Sequence, residues 1–250
     1  MIKTASRLAL VSSAALLCAS LLGCEDPAAN VPPASVGSAK PNATASAKPT
    51  AAATGTATAA ATAAASASAA PAAAVSIPEK PTGALTIAPP QSKIEWTGSK
   101  VTGKHEGSFQ QFDGWIALAD DKPETAKFAV AIDMTSVKSD DEKLTGHLKS
   151  PDFFDVEKNP KASFVSTEIK AGGEKGATHT ITGDLTLRGV TKPVSFPATV
   201  KVTADKVTAK SEFSINRKDW GIVYAGKADD LIRDNVVIKL DLAADRPKAK

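Results

Sequence analysis

No aromatic residue occurs before Trp96, and the 250-residue chain holds only three tryptophans, one tyrosine and eight phenylalanines. A stretch without aromatics and with few branched aliphatic side chains cannot bury enough apolar surface to offset the entropy of ordering its backbone. Residues 25 to about 90 are therefore not expected to fold, which leaves one domain of about 160 residues, an ordinary size. Cysteine is scarce as well: of Cys18 and Cys24, the first lies inside an apolar run near the start. If that run is removed, one cysteine remains and no intrachain disulfide is possible. Excess charge of one sign is also missing. Without Lys3 and Arg7, which precede the same run, the 30 basic residues become 28, against 27 acidic ones. The two signs are interleaved, so the clustered cations that a nucleic-acid backbone requires are not there.

Residues of catalysis are equally thin. No serine sits in a Gly-x-Ser-x-Gly turn and no cysteine has an evident histidine partner, so nucleophilic catalysis is not expected. Asp152, Asp155, Asp184 and Asp219 carry no sign of a paired acid and base. The three histidines, His105, His147 and His179, include no pair at metal-ligand spacing, so neither a metal site nor an enzyme is expected. His147, beside Leu148, reads as a residue that orients its surroundings by hydrogen bonding. His179, at the opening of a strand, reads as solvated.

What is present begins with an export signal: Lys3 and Arg7, then an apolar run from Leu8 to Leu22, then Gly23-Cys24. The run is shorter than the roughly 20 residues of a spanning helix. The segment resembles the bacterial lipobox, which implies removal of residues 1–23 and acylation of Cys24, with more than one acyl chain for stable anchoring. The expected location is the periplasmic side of the outer membrane, with the inner membrane or the cell surface as alternatives. Residues 24–90, dominated by Ala, Thr, Ser and Pro, read as a disordered linker with a root-mean-square span of roughly 45 Å, long enough to hold a domain clear of the membrane.

From Ile94 onward the pattern changes to period two. Phe128, Val130, Ile132 and Met134 share one face, as do Val194, Phe196, Ala198 and Val200, while the opposite faces are mostly polar. Strands apolar on one side belong to an antiparallel sheet that faces water on the other. About eight are expected, near 92–97, 106–119, 126–135, 161–171, 178–187, 193–204, 206–216 and 234–243, with hairpins at Gly172-Gly173 and Ala204-Asp205. The fold class is all-β, and among such folds an eight-stranded barrel spanning 91–245 is preferred, because closure removes exposed edges and leaves room for one small ligand. Residues 246–250 are expected to form a disordered tail. Ser139 to Pro160 lacks alternation. Ser139 and Glu142 have capping-box spacing and Leu144 and Leu148 lie four apart, so a short helix is expected, with Phe153 and Phe154 folding back behind it as a plug.

Four stretches carry a family resemblance: Gly107-Ser108-Phe109-Gln110-Gln111-Phe112-Asp113-Gly114; His147 to Val156 with Asn159-Pro160; Ile181 to Pro193; and Ile215-Asn216-Arg217-Lys218-Asp219-Trp220-Gly221. Together they resemble the YceI-like family of lipocalin-like, polyisoprenoid-binding periplasmic proteins. The resemblance implies an antiparallel eight-stranded barrel whose apolar tunnel holds an isoprenoid chain, with no cofactor beyond such a lipid. Candidate lining residues are Phe109, Phe112, Trp115, Ile132, Leu148, Phe153, Phe154, Phe164 and Trp220. Arg188, Arg217 and Asp219 recur in the motifs and read as turn anchors. The opening strand departs from the family: Ser92-Lys93-Ile94-Glu95-Trp96 stands where an Asp before a His-Ser pair is usual. The expected function is to bind or carry an isoprenoid quinone, a polyprenyl lipid or a similar elongated amphiphile in the cell envelope, with the membrane and that lipid as partners. The alternative is a structural or interaction barrel filled by its own side chains. Oligomeric state is not legible.

Overall fold

The computed structural model describes residues 26–39 and 75–247; the expected signal peptide, Cys24 and most of the expected linker lie outside them. The strands in chain order are β1 (Ser35–Val36), β2 (Leu85–Ile87), β3 (Lys93–Lys100), β4 (Gly103–Phe109), β5 (Phe112–Ala117), β6 (Lys127–Asp133), β7 (Val137–Ser139), β8 (Lys161–Ala171), β9 (His179–Leu187), β10 (Val190–Val202), β11 (Lys206–Asn216), β12 (Gly226–Lys227), β13 (Asp230–Leu231) and β14 (Asn235–Asp245). One α-helix, α1 (Glu142–Lys149), interrupts them.

The sheet is antiparallel and strongly curled. Its ladder order is β2-β5-β6-β8-β9-β10-β11-β14-β3-β4-β7. The segment expected as one strand over 106–119 breaks at Gln110-Gln111, so that β4 pairs with β3 while β5 pairs with β6. That corner is fixed by Gln110 N–H donating to Ser136 O at 3.2 Å and Gln111 N–H donating to Ser136 Oγ at 3.0 Å. Counting β4 and β5 as one bent strand, eight long segments curl into a tube, as the period-two pattern implies. The β9–β10 hairpin turns through Arg188 and Gly189, both at positive φ (50° and 73°), the conformation a two-residue turn needs to match the strand twist.

Two glycines mark where the wall is thinnest. A Cβ on Gly107 would lie 2.2 Å from Lys138 O and 2.3 Å from the Trp96 ring, and one on Gly183 would lie 2.3 Å from the Phe164 ring. Bare backbone at these points is what lets both aromatics lie flat against the neighbouring strand.

The helix begins one residue pair later than the capping-box spacing implies. Asp141 is the N-cap and its carboxylate accepts from Leu144 N–H at 2.8 Å. Ser139 instead ends β7, with its hydroxyl bonded to Asp140 Oδ1 at 2.8 Å. Leu148 is buried and Leu144 packs beside it, so the expected apolar face is present.

Three expectations of disorder need correction. Residues 26–39 are not free linker: a short 3-10 turn (Pro27–Asn30) leads into β1, which pairs with Val194 and Ser195 of β10. Ala34 N–H donates to Ser214 O at 2.8 Å and Ser214 N–H to Pro32 O at 3.0 Å, so this strap lies between β10 and β11, whose own ladder is confined to Thr199–Val202 and Val207–Lys210. Few apolar residues suffice here, because the strap borrows backbone partners and a core face from two strands already in place. Residues 75–90 likewise include β2, paired with β5, and the Trp115 indole N–H donates to Pro78 O at 2.9 Å. At the other terminus Arg246 is held by Asp205 O, Thr203 O and Asp121, so the tail does not begin at 246.

Candidate functional site: an apolar cavity inside the barrel

The inward faces of β3, β6, β8–β11 and β14 enclose a cavity of about 310 Å³ whose wall is almost wholly apolar. This is about twice the ~150 Å³ apolar void that stays dry and admits benzene, and it lies at the low end of ligand sites. A row of phenylalanines crosses the tube: Phe128 and Phe164 stack at 5.4 Å between centroids, Phe164 and Phe196 stand 5.6 Å apart, and Phe196 and Phe213 stack at 4.2 Å. All four line the cavity, and Phe128 also borders a second void of about 30 Å³ towards the opposite end.

Of the expected lining residues, Phe109, Ile132, Leu148, Phe153, Phe154 and Phe164 are in the cavity wall. Phe112, Trp115 and Trp220 are not. Phe112 is buried in the core beside the corner at Gln110-Gln111. Trp115 lies on the outer face of the sheet, covered by Ala84 and Ile77 and bonded to Pro78. Counting by two from Phe112 places Gly114 and Ile116 inside and Trp115 outside, so parity already carried this signal. Trp220 is fully buried, its indole N–H donating to Leu185 O at 3.3 Å, and it serves as packing rather than wall. Trp96, Phe128, Phe196 and Phe213 were missed as lining, although Phe128 and Phe196 belong to alternating apolar faces read from the sequence.

One end of the cavity is covered by α1, the Ser150–Asp155 loop and the segment 221–234. Two arginines latch these pieces, and Asp219 ties the neighbouring turn to β10. Arg188 donates from Nη2 to Pro151 O at 2.7 Å and from Nη1 to Gly221 O. Arg217, buried in the cavity wall, donates to Ile222 O (2.7 Å), Arg233 O (3.1 Å) and Ile232 O (3.2 Å). Burial lowers its pKa, and the nearby Asp234 carboxylate opposes that shift. Asp219 accepts from Lys192 Nζ at 3.1 Å. These are turn-anchoring contacts. His147 holds Asp152 Oδ2 at 2.9 Å and stands edge-on to Phe153 and Tyr224, at 5.0 and 4.9 Å.

The other histidines are elsewhere. His105 Nδ1 lies 3.0 Å from Asp140 Oδ1 at the rim. Burial opposes ionisation of Asp140, but hydrogen bonds from Ser139, His105 and the Glu106 N–H outweigh it and hold the carboxyl below its ordinary value. His179, expected in solvent, is buried instead: its Nδ1 is 2.8 Å from Thr178 Oγ1 and its Nε2 is 3.5 Å from Glu124. The turn at Pro123–Thr125 folds over that strand end and covers it. Among the described residues no three His, Cys, Asp or Glu side chains gather as a metal site would require.

A curled antiparallel sheet around an apolar cavity, closed at one end by a helix, defines a lipocalin-like barrel. The model of the YceI-like domain matches residues 85–244, and the chain belongs to that family. A UPF0312 protein of Pseudomonas putida (strain W619) is 36% identical over 150 residues, covering 58% of this chain and 74% of that protein. One from Pseudomonas fluorescens (strain SBW25) is 34% identical over 164 residues, covering 63% and 81%. Among solved structures, Burkholderia cenocepacia BcnA superposes with a TM-score of 0.53 at 25% identity, over 61% of this chain and 96% of its own. A polyisoprenoid binding domain from Saccharophagus degradans superposes with a TM-score of 0.52 at 17% identity, over 66% and 99%, which speaks to fold alone.

Proposed function

We propose that this chain is a cell-envelope lipoprotein whose barrel holds the tail of an isoprenoid quinone, a polyprenyl lipid or a similar elongated amphiphile and performs no chemistry on it. The observation that carries the reading is the apolar cavity of about 310 Å³, walled by aromatic and aliphatic side chains and bordered by latched loops. The Saccharophagus relative's description as a polyisoprenoid binding domain agrees with it. At about 0.8 kcal/mol per buried methylene, a few isoprene units supply the roughly 8 kcal/mol of a micromolar complex after ordering costs. No resident cofactor is required. Acylated Cys24 anchors the chain, on the periplasmic side of the outer membrane in this reading.

Native mass spectrometry of the protein purified from membranes tests it. The expected result is a bound lipid whose mass identifies it after extraction, together with uptake of a fluorescent apolar probe by the delipidated protein. A chain that carries no lipid and takes up no probe is a self-filled structural module, and the carrier reading fails.

A further inference from the structure

If Cys24 is acylated, as proposed above, the anchor stands two residues before Asp26, a reach of about 7 Å. Asp26 is itself fixed to the barrel. Its carboxylate accepts from Ala28 N–H at 3.0 Å and pairs with Arg233 Nη1 at 3.3 Å. Arg233 N–H donates to Ser99 O at 2.9 Å, and both Ser99 and Ile232 line the cavity. The strap then continues through β1 between β10 and β11. Residues 40–74 therefore do not separate the anchor from the barrel; they join residue 39 to residue 75 within the same domain.

The exposed large apolar side chains point to the same end. Among the described residues these are Val101, Val223 and Leu231, at 54%, 65% and 48% exposure. Val101 N–H donates to Leu231 O at 3.1 Å, and Ile232 N–H to Ala225 O at 2.9 Å, which ties the three loops into one rim. Val223 adjoins Ile222 and Leu231 adjoins Ile232, both residues of the cavity wall. That wall also reaches Lys100 and His105, whose side chains are 36% and 35% exposed, so the cavity opens here. Lys100 is paired with Asp230, and Lys104 with Glu106, while Lys227 and Asp229 are exposed on the β12–β13 turn, so the rim sets its apolar side chains among charges of both signs.

We infer that Val101, Val223 and Leu231 form a docking rim for a lipid bilayer, and that the strap holds the mouth of the cavity against the membrane that anchors Cys24. The occupant is a lipid surface because a tether of two residues keeps one within reach of this rim at all times, whereas no other partner is so confined. The amphiphile then passes between bilayer and barrel without crossing water. The inference rests on the acylation of Cys24 and not on the identity of the guest.

The test uses the full acylated chain reconstituted into phosphatidylethanolamine–phosphatidylglycerol vesicles that carry doxyl-labelled lipid. With the Cys24 sulfur blocked by its own thioether-linked lipid, a single bimane is placed at Val223→Cys or, on the outer wall, at Lys210→Cys. Severalfold stronger quenching at 223 than at 210 is expected, with the contrast reduced by Arg233→Ser, which releases Asp26. Equal quenching at the two positions overturns the inference even if mass spectrometry finds the N-terminal peptide acylated. An unacylated Cys24 overturns the inference and the lipoprotein reading together, while the carrier reading stands or falls separately on the lipid-binding measurement.

Discussion

The two ends of the barrel are built from the same alternating strands yet fill differently. Towards the end bordered by Ile87, Ile116, Leu118 and Ala126, the voids shrink to about 30 Å³, whereas beyond the phenylalanine row the tube holds about 310 Å³. The narrow end is closed by β2, whose Ile87 enters the core directly. The wide end is only partly covered, by α1, the Phe153-Phe154 loop and the segment 221–234, held by arginine side chains to backbone carbonyls, and it opens beside Lys100 and His105. An element that adds side chains to the core fills space; an element latched across an opening preserves it.

The largest effect should come from the packed parts. Phe112→Ala and Trp220→Ala each remove a well-packed aromatic and should cost about 3–5 kcal/mol in denaturant unfolding. Phe154→Ala, at the wall of the wide cavity, should cost roughly 1 kcal/mol, because part of that side chain already faces empty space. Equal losses at Phe112 and Phe154 would erase the distinction between the packed core and the cavity wall. Arg217→Ala comes next. It leaves the carbonyls of Ile222, Ile232 and Arg233 without their donor, so about 1–3 kcal/mol should be lost, together with faster release of a bound apolar probe in stopped-flow exchange.

Filling the lumen sharpens the comparison from the other side. Leu187→Trp, in the cavity wall, should abolish probe uptake with less than about 1.5 kcal/mol change in stability, because the added ring occupies existing space. The smallest effect is electrostatic. Asp140 titrates below its ordinary value when folded, so the stability it contributes is present above the unfolded carboxylate pKa and is lost as pH falls through the depressed folded value. Thermal unfolding followed between about pH 6 and pH 2 should show a slightly smaller acid-induced fall for Asp140→Asn than for the natural chain, since the pair with His105 is exposed.

Much of the barrel could be read from the chain. The strands at 161–171 and 206–216 match their expected limits, because alternation with one polar face leaves no other register that hides Ile169 or Phe213. The corner at Gln110-Gln111 was not legible: no proline or glycine marks it, and it exists because Ser136, distant in sequence, supplies the partners for both amides. The strap was missed for the same reason, since residues 32–36 gain their order from β10 and β11 and not from their own composition. The candidate lining residues divided by parity and by distance from the corner, which is why Phe109 faces the lumen and Trp115 faces outward.

What the sequence by itself determined was the period-two alternation, and with it the antiparallel class, the apolar inner face and most strand limits, because a side chain's face depends only on its neighbours along the chain. Tertiary structure alone decided that the tube keeps about 310 Å³ at one end, that its wall includes Trp96 and Arg217, and that residues 26–39 complete it. Those outcomes depend on how volumes from distant segments add and on which backbone groups find partners across the fold, quantities that no local pattern contains.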